Sequence, residues 1–158
     1  MPRAQVVPAL LAAVATIVVS VPLTRLFEQS TWALPAAAGV LVVALAGIAL
    51  RSSLNHTGVT IIGQALVGGI YVLVTQLEDT TVLGVLPTPE TVSRLVEHIT
   101  EAERTITEYA APAPETAGIT VTLVVIIMVV GLAVDMSAAT ASSPAIAGLP
   151  LFSLFLVS

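Results

Sequence analysis

The sequence predicts an all-α fold, a polytopic transmembrane helical bundle of four to five spans with one extramembrane amphipathic helix. Three observations carry that prediction. The 158 residues are 56% hydrophobic and 9% charged, with a mean hydropathy of +1.03, against roughly 25% charged residues in a soluble domain. The apolar residues gather into runs of membrane-crossing length, and most ionisable residues fall between those runs. Aromatics make up only 4% of the chain, so the apolarity is aliphatic bulk suited to hydrocarbon contact.

The runs cover residues 5–23, 32–50, 58–76 and 117–136, each close to the roughly 20 residues that let a helix cross about 30 Å of hydrocarbon. The fourth is rich in Val and Ile, which favour strands in water. In lipid every backbone amide must be satisfied within the segment, so helix is the consistent reading. A fifth run, 144–157, has only 14 residues and reads as a partial span. Together these segments describe one membrane domain over 1–158, interrupted by an acidic extramembrane segment at 77–116.

Charges and prolines mark the ends of the spans. Arg3, Arg25 and Arg51 fall outside the apolar runs, as expected when an arginine at a helix centre costs roughly 2.5–3.5 kcal/mol on insertion scales. Trp32 begins the second run as an interfacial anchor would, and Pro8, Pro22 and Pro35 lie near helix ends. Small residues inside the second and third runs (Gly39, Gly47, Gly63, Gly68 and Gly69) predict close helix contact, with Gln64 bonding across an interface.

The segment 77–116 holds eight acids against two arginines, a balance of −6 in a chain whose net charge is −5. Within it Thr88 is placed to cap a helix, Pro89 suits its first turn and Glu90 its positive end. Val92, Leu95, Val96, Ile99, Ala102 and Ile106 recur at three-to-four spacing, which predicts an amphipathic helix lying apolar face down over the rim of the membrane domain. Glu90 to Arg94 and Arg104 to Glu108 are its expected four-residue ion pairs. Its acidic polar face disfavours binding to anionic lipid. Basic residues do not decide orientation, because Arg3 and Arg51 stand on one side and Arg25, Arg94 and Arg104 on the other. The acidic balance favours an extracytoplasmic 77–116 and a cytoplasmic amino terminus, in a multi-pass cell-membrane protein. A cleaved signal peptide competes for the first run, but no small-x-small cleavage site follows it cleanly.

Chemistry-bearing residues are sparse. There is no cysteine, which removes disulfides, thiolate ligands and a cysteine nucleophile. His98 stands near Glu97 and Glu101, but a single histidine without a second ligand set reads as solvated rather than metal-bound. Asn55, His56 and Thr57 match a glycosylation acceptor by chance, in a turn on the cytoplasmic side. Asp135 is the one ionisable residue attached to an apolar run, and it reads first as a boundary marker and second as a functional or interhelical polar group. Asp135 and Gln64 are therefore the candidate functional residues. No catalytic residue, cofactor, metal or nucleic-acid partner is expected.

The last third, from Tyr109, reads YAAPAPETAGITVTLVVIIMVVGLAVDMSAATASSPAIAGLPLFSLFLVS. The tyrosine followed by alternating Ala and Pro, the Val134-Asp135 helix end and the string from Pro144 to Pro150 resemble the amino-terminal membrane region of the actinobacterial transglutaminase-like TgpA family. The absence of lysine and the abundance of Ala, Val and Pro fit a high-GC bacterial genome. The resemblance implies a larger protein in which several membrane helices precede an extracytoplasmic transglutaminase-like domain with Cys, His and Asp. This chain would then be a non-catalytic membrane anchor. Association within the family implies a MoxR-type AAA ATPase and a von Willebrand-like protein as partners, beside the lipid bilayer. Family members commonly carry an arginine pair where this chain has Ser142 and Ser143, a departure that bears on the orientation of the last helices. The competing reading from the residues is a small stand-alone transporter or channel subunit using Asp135 and Gln64.

Overall fold

Once in hydrocarbon, an aliphatic run of about 20 residues becomes a helix, and the computed structural model shows five α-helices of 18 or more residues among the residues it describes. It describes residues 3–53, 56–81 and 86–140, with Pro150, Phe152 and Leu156. Helix α1 spans Arg3–Ser20 and continues as a 3₁₀ turn over Val21–Arg25; α2 spans Ala33–Ser53, α3 Thr57–Gln76, α4 Pro89–Glu108 and α5 Ala117–Asp135. A π-helical turn, Met136–Thr140, follows α5. Four of these helices are long and apolar enough to cross a membrane: Val6–Arg25, Ala33–Ser53, Thr57–Gln76 and Ala117–Ala138. Their bounds follow the predicted runs to within a few residues, as expected where hydrocarbon thickness sets the length. The partial fifth run, the Pro144 to Pro150 string, Ser142, Ser143 and Asn55 lie wholly or mostly outside the described residues.

Helix α5 is the hub and packs against α1, α2, α3 and α4, while α2 packs most extensively against α3 and α5, and α1 against α2 and α5. The core is built of small and branched side chains. Ala36, Val40, Val43 and Ala44 of α2 meet Val124, Ile127 and Met128 of α5. On α1 the buried stripe is Ala9, Ala12, Ala13 and Thr16, small residues that let helix backbones approach in lipid. Met128 is a knob from α5 in a slot beneath two glycines: a Cβ on Gly39 would lie 2.5 Å from its sulfur, and one on Gly68 would lie 3.2 Å from its terminal methyl. Gly47 and Gly63 are likewise hemmed in, by Gln64 and Leu50. Gly69 departs from the prediction of close contact, because a Cβ there meets no described atom within 4 Å.

Outward faces are as apolar as the core. Val7, Leu11, Leu34, Leu45, Ile62, Leu66 and Val129 are all exposed, a distribution that water does not tolerate and lipid does. Trp32 differs from its expected role as an interfacial anchor. It is 1% exposed and plugs the core at the start of α2.

Helix α4 begins as its sequence predicts. The Thr88 hydroxyl accepts from the Thr91 amide at 3.2 Å and the Thr91 hydroxyl accepts from the Thr88 amide at 3.0 Å, a reciprocal cap with Pro89 in the first turn. Its packing departs from the expected apolar-face-down arrangement. Thr91, Ala102 and Thr105 are the buried positions, whereas Val92, Val96, Ile99 and Ile106 are exposed. The reason is polar docking onto α5: the Gly118 amide donates to Glu101 at 3.0 Å, and a Cβ on Gly118 would lie 2.5 Å from the His98 carbonyl oxygen. Arg94 pairs with Glu97 at 3.1 Å rather than with the expected Glu90, and Arg104 lies 4.0 Å from Glu108 as expected.

Candidate functional site

The two candidate residues meet, and a third joins them. Gln64 lies two turns into α3, Asp135 is the last residue of α5, and Arg51 stands in the last turn of α2. These helix ends come to one end of the bundle. Arg51 Nη1 donates to Asp135 Oδ2 at 2.8 Å and Nη2 to Oδ1 at 3.0 Å, a two-pronged match of guanidinium to carboxylate. Gln64 Nε2 donates to Asp135 Oδ2 at 2.7 Å and to the Val43 carbonyl oxygen at 3.2 Å. Asp135 is 2% exposed, Gln64 1%, and the Arg51 side chain 9%.

The preferred reading of Asp135 as a boundary marker reaching headgroups is thereby corrected. It is buried, and its companion base is the arginine at the end of the second run. A carboxylate removed from water is costly unless paired and hydrogen-bonded, and here both oxygens are engaged. Gly47 makes room for the arrangement, since a side chain there would collide with the Gln64 amide and come within 2.9 Å of Arg51 Nη2. The chemistry available is electrostatic clamping of three helices. Among the described residues, the hydrogen-bond partners of Asp135 are the guanidinium of Arg51 and the carboxamide of Gln64.

Sequence reasoning missed Arg51 as a partner. The signal was parity: the second and fourth spans end on the same side of the membrane, so a cation ending one and an anion ending the other can meet. A second polar cluster was also missed. Glu115, just before α5, accepts from the Thr31 amide at 3.1 Å, the Trp32 amide at 3.0 Å and the Thr120 hydroxyl at 3.0 Å, and also from the Thr31 hydroxyl. It caps the amino end of α2 from 83 residues away in sequence. Burial pushes its pKa up, but the hydrogen bonds from Thr31, Thr120 and Trp32 outweigh that and hold it below the ordinary value. Beside it, the Glu28 amide donates to the Ala113 carbonyl at 3.0 Å and the Ala113 amide to the Leu26 carbonyl at 2.9 Å, stapling the α1–α2 connection to the segment before α5.

His98 Nδ1 lies 3.7 Å from Glu101. Among the described residues no three of His, Cys, Asp and Glu gather as a metal-ligand set.

Comparison with known proteins returns one finding. No curated protein and no solved structure matches the chain, but a family model described as the TgpA N-terminal domain matches residues 14–158. That match takes in helices α2 to α5 whole, the last seven residues of α1, and every residue of the Arg51, Gln64 and Asp135 cluster. By the length of that match, the chain belongs to the TgpA N-terminal domain family.

Proposed function

We propose that this chain is a membrane anchor, non-catalytic by itself, which holds and positions a transglutaminase-like domain at the extracytoplasmic face of the cell membrane. The observation that carries this reading is the buried union of Arg51, Asp135 and Gln64. It fixes α2, α3 and α5 relative to one another, with both carboxylate oxygens of Asp135 held by Arg51 and Gln64. Clamped helices with aliphatic outer faces suit a rigid mount. The family is the amino-terminal domain of TgpA, and the chain has no cysteine to serve as the nucleophile that the resemblance implies for the catalytic part. A transporter reading draws no support from Asp135, whose carboxylate is clamped by Arg51 and Gln64 inside the bundle.

The test is to fuse the chain to a soluble transglutaminase-like domain and extract membranes with alkaline carbonate. The fusion should remain in the pellet, and the same domain without residues 1–158 should be released to the supernatant. Release of the intact fusion by carbonate would sink the anchoring role.

A further inference from the structure

Helices α3 and α5 touch each other less than either touches α2, and the gap between them is a groove of about 410 Å³. That size falls within the roughly 300–1,000 Å³ of ligand sites. Gly69, Val72, Val125, Val129 and Leu132 line its sides, and Gln64 lies at its inner end. Pro87, Thr91 and Leu95, at the start of α4, close the other end. Glycine inside a helix costs roughly 0.5–1 kcal/mol relative to alanine, and Gly69 has no neighbour among the described atoms that requires it. Its bare backbone widens the groove.

Directly beyond this groove, with Leu77 as a shared wall, lies a polar chamber of about 370 Å³ lined by Gln76, Asp79, Thr80, Arg94, His98 and Thr120. The sequence order confirms the stacking. On α5 the chamber takes Thr120 and Val121 and the groove takes Val125 and Val129, so the two follow one another along the same helix. The pair has the form of an amphiphile: an apolar slot at hydrocarbon depth and a polar head at the level where α4 covers the bundle.

We propose that α3, α4 and α5 form a binding site for one phospholipid with a zwitterionic, ammonium-bearing headgroup, in the leaflet on the α4 side. An acyl chain lies along Gly69 between α3 and α5. The phosphate is recognised by Arg94 and His98, and the ammonium by Asp79. This inference rests on the membrane reading proposed above. A transmembrane helix is the wrong occupant, because α4 closes one end of the groove and a helix about 10 Å across cannot pass it. An anionic lipid is also wrong, because the segment that supplies the chamber's roof carries eight acids against two arginines, and Arg94 already shares its charge with Glu97 at 3.1 Å.

The experiment is native mass spectrometry of the chain released from nanodiscs of equal phosphatidylethanolamine and phosphatidylglycerol, after carbonate extraction has established insertion. One phosphatidylethanolamine should stay bound in preference to phosphatidylglycerol. Gly69→Phe, which projects into the groove, should cut that retention about tenfold, as should Arg94→Gln by removing a charge-assisted contact at an exposed position. Loss of retention in either variant counts only where its helical circular dichroism matches the unsubstituted chain. Retention of neither lipid, equal retention of both, or full retention in both variants by an inserted protein would overturn the site and leave the anchor standing. A protein extracted by carbonate would overturn both.

Discussion

Arg51 and Asp135 are 84 positions apart and form a two-pronged ion pair that is largely buried. Removing one partner leaves the other charge buried and unpaired, a loss of roughly 3–5 kcal/mol, whereas replacing both with apolar residues of similar volume is often neutral. Asp135→Ala and Arg51→Ala should therefore each lower thermal stability in detergent sharply, and the double variant Arg51→Met with Asp135→Leu should recover most of it. A double variant as unstable as the singles would mean that the cluster does more than clamp. By the same reasoning Asp135→Asn strands the Arg51 charge and should also destabilise the bundle. Composition placed Arg51 and Asp135 at span ends; it could not pair them, because pairing depends on which helices become neighbours. Gln64 was legible as an interhelical donor because a carboxamide inside an apolar run must find a partner.

Among the elements, α2 depends on a neighbour for its start. Its first turn begins beside Thr31 and Trp32, whose amides are satisfied by Glu115 from the far side of the acidic segment. Because the folded pKa of Glu115 lies below its ordinary 4.5, the cap stabilises the fold fully above that value and is lost as the pH falls through the lower folded pKa. Glu115→Ala should lower stability at neutral pH by about 1 kcal/mol, the usual worth of a cap, and should flatten the acid limb of a melting-temperature profile taken from pH 6 to 3. An unchanged acid limb would remove Glu115 from that role. Helix α4 was legible at its start, where Thr88, Pro89 and Glu90 spell out a cap, and misread in its packing. Periodicity reports which face is apolar. It does not report that Glu101 and the Gly118 amide hold a different face against α5, because the demand comes from the exposed amides at the start of another helix.

For the molecule as a whole, the span lengths were legible because hydrocarbon thickness sets them, while orientation was not, because five arginines divide between the two sides. The structure sharpens the count. Arg51 is neutralised by Asp135, and Arg94 and Arg104 each stand beside a glutamate, which leaves the acidic balance of 77–116 as the larger asymmetry. Helix α3, at 20 residues and about 1.5 Å per residue, is long enough to separate its ends by the hydrocarbon thickness. A crossing α3 puts Ser53 and Thr81 on opposite faces, and the acidic balance of 77–116 predicts Thr81 outside the cell and Ser53 inside. Because the chain has no cysteine, any single introduced cysteine is a unique label. A membrane-impermeant maleimide should modify Thr81→Cys in intact cells and Ser53→Cys only after permeabilisation. The opposite pattern would invert the orientation while keeping the four spans, and modification of both in intact cells would mean that α3 does not cross.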